Sequence, residues 1–352
     1  MTTAVLRRTA GQLFMVGLPG PTLDAETRDF LGEYTPGGVI LFKRNVTSAT
    51  QLRRLVAEVK GIGAGVTPLV GIDHEGGRVH RLPRPFTHFP PALVVAASGP
   101  AAARRVGRAM GRELAAVGID LDFAPVLDVW TNPRNRVIGD RAFGMTPAAA
   151  ARNALALARG LADAGVVACG KHFPGHGGTA GDSHRVRPRL ARSRRELEAL
   201  DLVPFRRAVA ARIPTLMTAH VVYPALDPRR PATLSRAICH GLLRQRLGFR
   251  GVLFSDDLEM HAVSRRPIER VAVEALQAGC DMLLVCASTD LARRGIDAVA
   301  SAIDRGRLDP RAVAASLSRI NALRHRGVAR PTARLGWPAH AALARRLARA
   351  AS

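Results

Sequence analysis

Short apolar runs alternate with longer amphipathic stretches along almost the whole chain. The apolar runs cover residues 13–18, 38–42, 69–73, 121–129, 166–173, 215–220, 251–256 and 282–286. Most are rich in Val, Ile or Leu and bounded by Gly, Pro or Asp, the pattern of a strand buried on both faces. Between most of them, apolar residues recur at helical spacing, over 48–60, 101–117, 147–164, 193–211, 235–247 and 268–278, with a shorter stretch at 23–34 in the first gap. Strand then helix, repeated without interruption, predicts an α/β protein with a parallel sheet covered on both faces. Eight repeats over 352 residues fit a closed (β/α)8 TIM-type barrel better than an open doubly wound sheet. No Pro-, Ser- or charge-rich linker divides the chain, so residues 1–352 are expected to form one domain, with an Arg-rich helical tail from about 332.

Composition changes this picture little. An apolar fraction of 47% supplies a large core, and no run reaches the length of a membrane-spanning helix. Residues 1–18 carry Arg7 and Arg8 but lack the apolar stretch and cleavage site of a signal peptide. Cys169, Cys239, Cys280 and Cys286 form neither a disulfide framework nor a CxxC pair, which suits a reducing cytoplasm. The formal net charge is +24, and apart from Lys43, Lys60 and Lys171 every Lys or Arg position is arginine. These arginines are spread along helical stretches with no interleaved aromatics. They read as solvated positions able to steer anionic ligands, and no specific nucleic-acid or membrane partner is expected.

Polar residues collect where the apolar runs end: Asp73-His74-Glu75, Asp128, Lys171-His172, His220 and Asp256-Asp257. In a parallel barrel those ends open onto one face, where active sites are built. The densest segment is the Gly-rich loop Lys171–His184, holding His172, His176, Asp182 and His184. Metal binding by its three histidines is disfavoured, since their spacing matches no common zinc pattern and no thiolate or HExxH helix accompanies them. Acid–base chemistry fits better, because histidine titrates near neutral pH and Asp182 could orient and stabilise the His184 imidazolium. An Asp-Ser-His triplet is weak by itself, as Asp and Ser also favour turns.

In the stretch 251–260 an apolar strand delivers two carboxylates to its end. A carboxylate nucleophile needs that rigid placement, and Asp256, continuing the strand, is the expected one. Asp257 is the fallback, or an N-cap for the next helix. In 71–82, Asp73 could accept hydrogen bonds from paired sugar hydroxyls, and Arg78 and Arg81 could bind oxygen-rich groups. Glu75 is expected to form a structural ion pair with Arg78. Arg141 stands in a polar loop after the fourth strand.

Together these segments resemble glycoside hydrolase family 3, in particular its NagZ-type β-N-acetylglucosaminidases (β-hexosaminidases). The resemblance runs from about residue 37 to 260 through GGVILFKRN (37–45), GIDHEGGRVHRL (71–82), FAPVLDV (123–129), IGDRAFG (138–144), KHFPGHG (171–177) with DSH (182–184), MTAH (217–220) and GVLFSDDLEM (251–260). It implies a (β/α)8 barrel that hydrolyses with retention through a glycosyl-enzyme intermediate. Asp256 is then the nucleophile, His184 the general acid/base and Asp182 its assistant, with Asp73, Arg81, Arg141, Lys171 and His172 binding sugar. The implied partner is a small carbohydrate: a muropeptide with terminal N-acetylglucosamine on anhydro-N-acetylmuramic acid, met during cytoplasmic cell-wall recycling with its bearing on cell shape and division. No cofactor or metal is implied, and a monomer is expected. The rival readings are a glycoside phosphorylase, since a histidine acid/base leaves room for phosphate as acceptor, and a non-catalytic sugar-binding barrel.

Overall fold

The eight apolar runs become eight parallel strands: β1 (Phe14–Gly17), β2 (Gly38–Leu41), β3 (Leu69–Ile72), β4 (Leu121–Asp122), β5 (Val167–Phe173), β6 (Thr215–Thr218), β7 (Val252–Asp257) and β8 (Met282–Val285). The computed structural model describes residues 2–62, 65–180, 188–326 and 336–350. Each strand pairs with its sequence neighbours and β1 pairs with β8, closing the ring. The register is continuous from Met15 opposite Gly38, through Val39 opposite Val70, to Gly71 opposite Leu121. The fold is therefore the expected (β/α)8 barrel.

Its interior is filled by side chains. Phe123 and Phe254 meet edge to face at 5.2 Å between ring centres, a favourable aromatic geometry. Gly71 makes space there, since a Cβ on it would lie 3.1 Å from the Phe123 ring. All four cysteines are buried free thiols.

Three elements differ from the pattern reading. Over 121–129 only two residues are regular strand, because Pro125 has no N–H to give the ladder. Pairing with β5 still persists through carbonyls, with Cys169 N–H donating to Ala124 O (2.9 Å) and Lys171 N–H to Pro125 O (3.1 Å). The helix expected over 193–211 is two, Arg194–Ala199 and Leu202–Ala210. Pro204 would press its ring against the Leu200 carbonyl in a continuous helix, so the chain breaks there. The helix Ala237–Arg246 is π-type. A helix also precedes the first strand, Thr3–Gly11, with the Thr2 hydroxyl accepting from Val5 N–H at 3.4 Å.

The helices Gly99–Ala116 and Pro147–Asp163 pack with their backbones nearly touching. A Cβ at Gly107 would sit 2.2 Å from Leu157 O, and one at Gly160 2.2 Å from Arg104 O. After Thr289–Asp304 and Pro310–Arg324, the last helix, Pro338–Arg349, folds back onto Gly99–Ala116. Trp337 lies 5.7 Å from Phe86, His340 Nδ1 lies 2.8 Å from Glu113 Oε1, and Leu347 is buried.

Candidate active site

The strand ends gather the expected groups at one mouth of the barrel. Asp73 follows β3, Lys171 and His172 lie in β5, and Asp256 and Asp257 end β7. Lys171, almost fully buried, places its ammonium 2.6 Å from Asp73 Oδ1 and 2.7 Å from Glu75 Oε1. Arg141, on a 3-10 turn after β4, grips Glu75 with both sides of its fork, Nε to Oε2 and Nη2 to Oε1, each at 2.8 Å. Bidentate guanidinium–carboxylate pairs are strong and fix orientation. Burial, the largest single influence, favours the neutral form of Glu75, but Arg141 and Lys171 together hold it well below the usual carboxylate range. Burial likewise opposes charge on Lys171, and Asp73 and Glu75 outweigh it, raising its pKa.

Here the expected pairing of Glu75 with Arg78 is corrected. Arg78 turns outward to Asp140 at 2.9 Å and donates to the carbonyls of Val137 and Ile138. Glu75 takes Arg141 and Lys171 instead, because those two cations share its buried position while Arg78 is 44% exposed. Arg81 lays its guanidinium over the Phe42 ring at 5.8 Å, and its Nε–H meets no acceptor among the described residues.

His172 is anchored to Asp128, ring Nδ1 to Oδ2 at 2.7 Å and main-chain N–H to Oδ1 at 3.2 Å. Asp128 also accepts the N–H of His176 at 2.7 Å, so one buried carboxylate ties β5 to its following loop. His176 Nδ1 lies 2.8 Å from the Thr179 hydroxyl, and burial, then the charge of His172, lowers its pKa to about 4. Asn135 donates to His176 O (2.8 Å), Asn132 to Thr179 O (3.0 Å) and Tyr223 to Gly175 O (2.7 Å). The loop base is thus fixed up to Ala180. Asp182 and His184 lie outside the described residues.

Across the mouth, Asp256 Oδ1 accepts the N–H of Asp257 at 2.8 Å. Burial alone would raise its pKa; His220, His172, that N–H and Lys171 more than reverse this and keep Asp256 below its ordinary value. Asp257 behaves oppositely. Burial pushes it up to about 7, although its Oδ1 accepts from Glu259 N–H (3.1 Å) and Cys286 N–H (3.3 Å). It caps no helix, since the next begins at His261 with Met260 at its N-cap. His220 donates Nε2–H to Asp257 O at 2.8 Å, with Nδ1 against Thr233 Oγ1 at 2.7 Å.

Asp73, Arg81, Arg141, Lys171, His172 and Asp256 therefore share one end of the barrel. Glu75, Asp128 and His220 complete it. Their place at strand ends was visible in the sequence, but not which partner each would take. An ionised carboxylate facing a buried cation–carboxylate network can receive a polar ring on one side and attack carbon from the other. Among the described residues no group of three His, Cys, Asp or Glu side chains is arranged to hold a metal.

Comparison with known proteins gives the family and the fold. Residues 5–323 match the glycosyl hydrolase family 3 N-terminal domain. A β-hexosaminidase of Methylococcus capsulatus is 47% identical over 278 residues, covering 77% of this chain and 82% of its own. Among solved structures, a family 3 β-N-acetylglucosaminidase from Paenibacillus sp. superposes with a TM-score of 0.93 at 38% identity, over 97% of this chain and 68% of that one. NagZ from Neisseria gonorrhoeae, solved with N-trifluoroacetyl-D-glucosamine, gives 0.75 at 38% identity, over 88% of this chain and 97% of that one.

Proposed function

The chain belongs to glycosyl hydrolase family 3, and from that premise we propose that it is a retaining exo-β-N-acetylglucosaminidase acting on peptidoglycan-derived muropeptides. It is a glycoside hydrolase with β-N-acetylhexosaminidase activity. The observation that carries the finer reading is Asp256, kept ionised at the end of β7 opposite the Asp73–Lys171–Glu75–Arg141 network. Asp73, Arg81, Arg141, Lys171 and His172 bind the hydroxyls and acetamido group of a terminal N-acetylglucosamine, which sets its anomeric carbon against Asp256.

In the first step an Asp256 oxygen forms a bond to the anomeric carbon while the glycosidic C–O bond breaks, and His184 gives its proton to the leaving oxygen. In the second, water attacks the same carbon, His184 takes the water's proton, and Asp256 leaves as carboxylate. Asp182 orients His184 and stabilises its imidazolium. The reading places the enzyme in the cytoplasm as a monomer that uses residues 1–352 as one catalytic domain in cell-wall recycling, without cofactor.

The test is release of 4-nitrophenol from its β-N-acetylglucosaminide by wild type and Asp256→Ala, with and without phosphate. Turnover by wild type and a loss of at least about a thousandfold in the variant are expected. Sugar 1-phosphate as product, or an active variant, contradicts the reading.

A further inference from the structure

At the end of the barrel opposite the active site lies a recess of about 840 Å³. It opens between the helices Ala237–Arg246, Ile268–Ala278 and Pro310–Arg324, beside the turns that lead into β1, β7 and β8. Leu13, Phe249, Leu308 and Val313, all buried, contribute to its lining. Around them stand Arg236, His240, Arg244, Arg250, Arg307 and Arg319.

The acidic groups here do not offset these cations. Asp281, fully buried, pins Arg244 and Arg319 in place and also accepts the Ser316 hydroxyl and Leu253 N–H. Asp309 lines the recess but is committed to the helix start, accepting from Arg311 N–H at 2.9 Å. Arg236, Arg250 and Arg307 have no carboxylate partner among the described residues. Arg244 and Arg319 are thus anchored, Arg244 also donating to Gly251 O at 2.6 Å, and Arg236 donates to Gln277 O at 3.4 Å, which leaves Arg250 and Arg307 to meet a ligand most freely. His240 and Arg244 lie four residues apart on the π-helix, with Arg236 at its N-cap four residues before His240, and π-type turns often mark functional sites. The field they create is felt locally: burial first, then the charges of Arg236 and Arg244, lowers the pKa of His240.

We propose that this recess is a second binding site, separate from the glycosidase centre, for a compact anion carrying two or more linked phosphates. Guanidinium forks match phosphate oxygens two at a time, and several converging forks favour a ligand with several anionic groups close together. The recess has the volume of a small-molecule site, and its buried apolar residues suit the uncharged part of such a ligand. A long polyanion or a membrane surface would use an open, outward-facing patch instead.

The test is calorimetric titration of the full-length protein at physiological ionic strength with tripolyphosphate, a nucleoside triphosphate, citrate and long-chain polyphosphate. One saturable site for tripolyphosphate or the nucleotide is expected, weakened about tenfold or more by Arg250→Glu combined with Arg307→Glu. Both side chains are exposed, so N-acetylglucosaminide turnover and melting temperature should remain those of wild type. The milder pair Arg250→Gln and Arg307→Gln serves as a second variant should the first fold poorly. Tighter binding of the nucleotide than of tripolyphosphate assigns the site to nucleotides, and equal affinity to free polyphosphate. No saturable binding, affinity unchanged in both variants, citrate binding as tightly, or binding of the long chain alone each overturns the proposal.

Discussion

In the proposed mechanism the attacking carboxylate has to meet its substrate ionised, and the two adjacent aspartates of β7 differ in that respect. Asp256 lies within the field of His220, His172 and Lys171 and accepts a main-chain N–H, so it remains charged. Asp257, one residue on, is enclosed without a cation, and burial lifts it to about 7. The native protein therefore holds a proton on Asp257 that the unfolded chain has already released, so stability contributed by this group falls as pH rises from about 4 to about 7. Asp257→Asn stays neutral and removes that loss. Thermal unfolding should show the variant more stable than wild type at pH 8, by at most about 4 kcal/mol, and equal to it near pH 3. Equal stability at pH 8 would sink this account of the pair. At this scale residue types and their strand-end positions were legible in the sequence, but partners were not. Glu75 illustrates why: Arg78, three positions along the chain, is nearer in sequence, yet Arg141 and Lys171 meet Glu75 only once β3, β4 and β5 stand side by side.

Elements place these residues, and glycine spacing controls how closely they approach. Gly177 passes so near β4's extension that a Cβ would lie 1.9 Å from Val129 O, beside the Asp128 that anchors His172 and His176. Gly107 is nearly as tight, a Cβ there lying 2.2 Å from Leu157 O, but between two outer helices. Gly177→Ala should therefore lower kcat by roughly a hundredfold through displacement of the loop, with little change in melting temperature. Gly107→Ala should cost about 1–3 kcal/mol of stability and leave kcat per folded molecule intact. Kinetics on soluble variants beside calorimetric melting distinguishes the two, and a reversed pattern would contradict the division between site and scaffold. The strands were legible in the sequence because buried parallel strands are nearly continuous apolar runs. Less legible were the break at Leu200–Asp201, set by a proline inside an otherwise helical pattern, and the π-type turn of Ala237–Arg246, which leaves no separate periodic mark. The helix Thr3–Gly11 was hidden by its brevity and its two arginines.

For the molecule as a whole, the unusual quantity is its charge, +24 with a sequence pI near 11.6. Such a field attracts anionic solutes over about 10 Å at 0.1 M salt and fades as salt rises. A muropeptide carries carboxylates, whereas 4-nitrophenyl N-acetylglucosaminide is neutral. kcat/KM for the first should fall several-fold between low and high salt while that for the second stays nearly constant. Parallel salt dependence for both substrates would show that the charge does not serve capture.

The most direct test of the central claim is to trap the intermediate. Acid quench of the enzyme during turnover of a slow N-acetylglucosaminide, followed by proteolysis and mass spectrometry, locates any sugar ester on the chain. One N-acetylhexosaminyl group on Asp256 is the predicted result. An ester on Asp257 or elsewhere, or turnover with no ester and an inverted first-formed product, would contradict it.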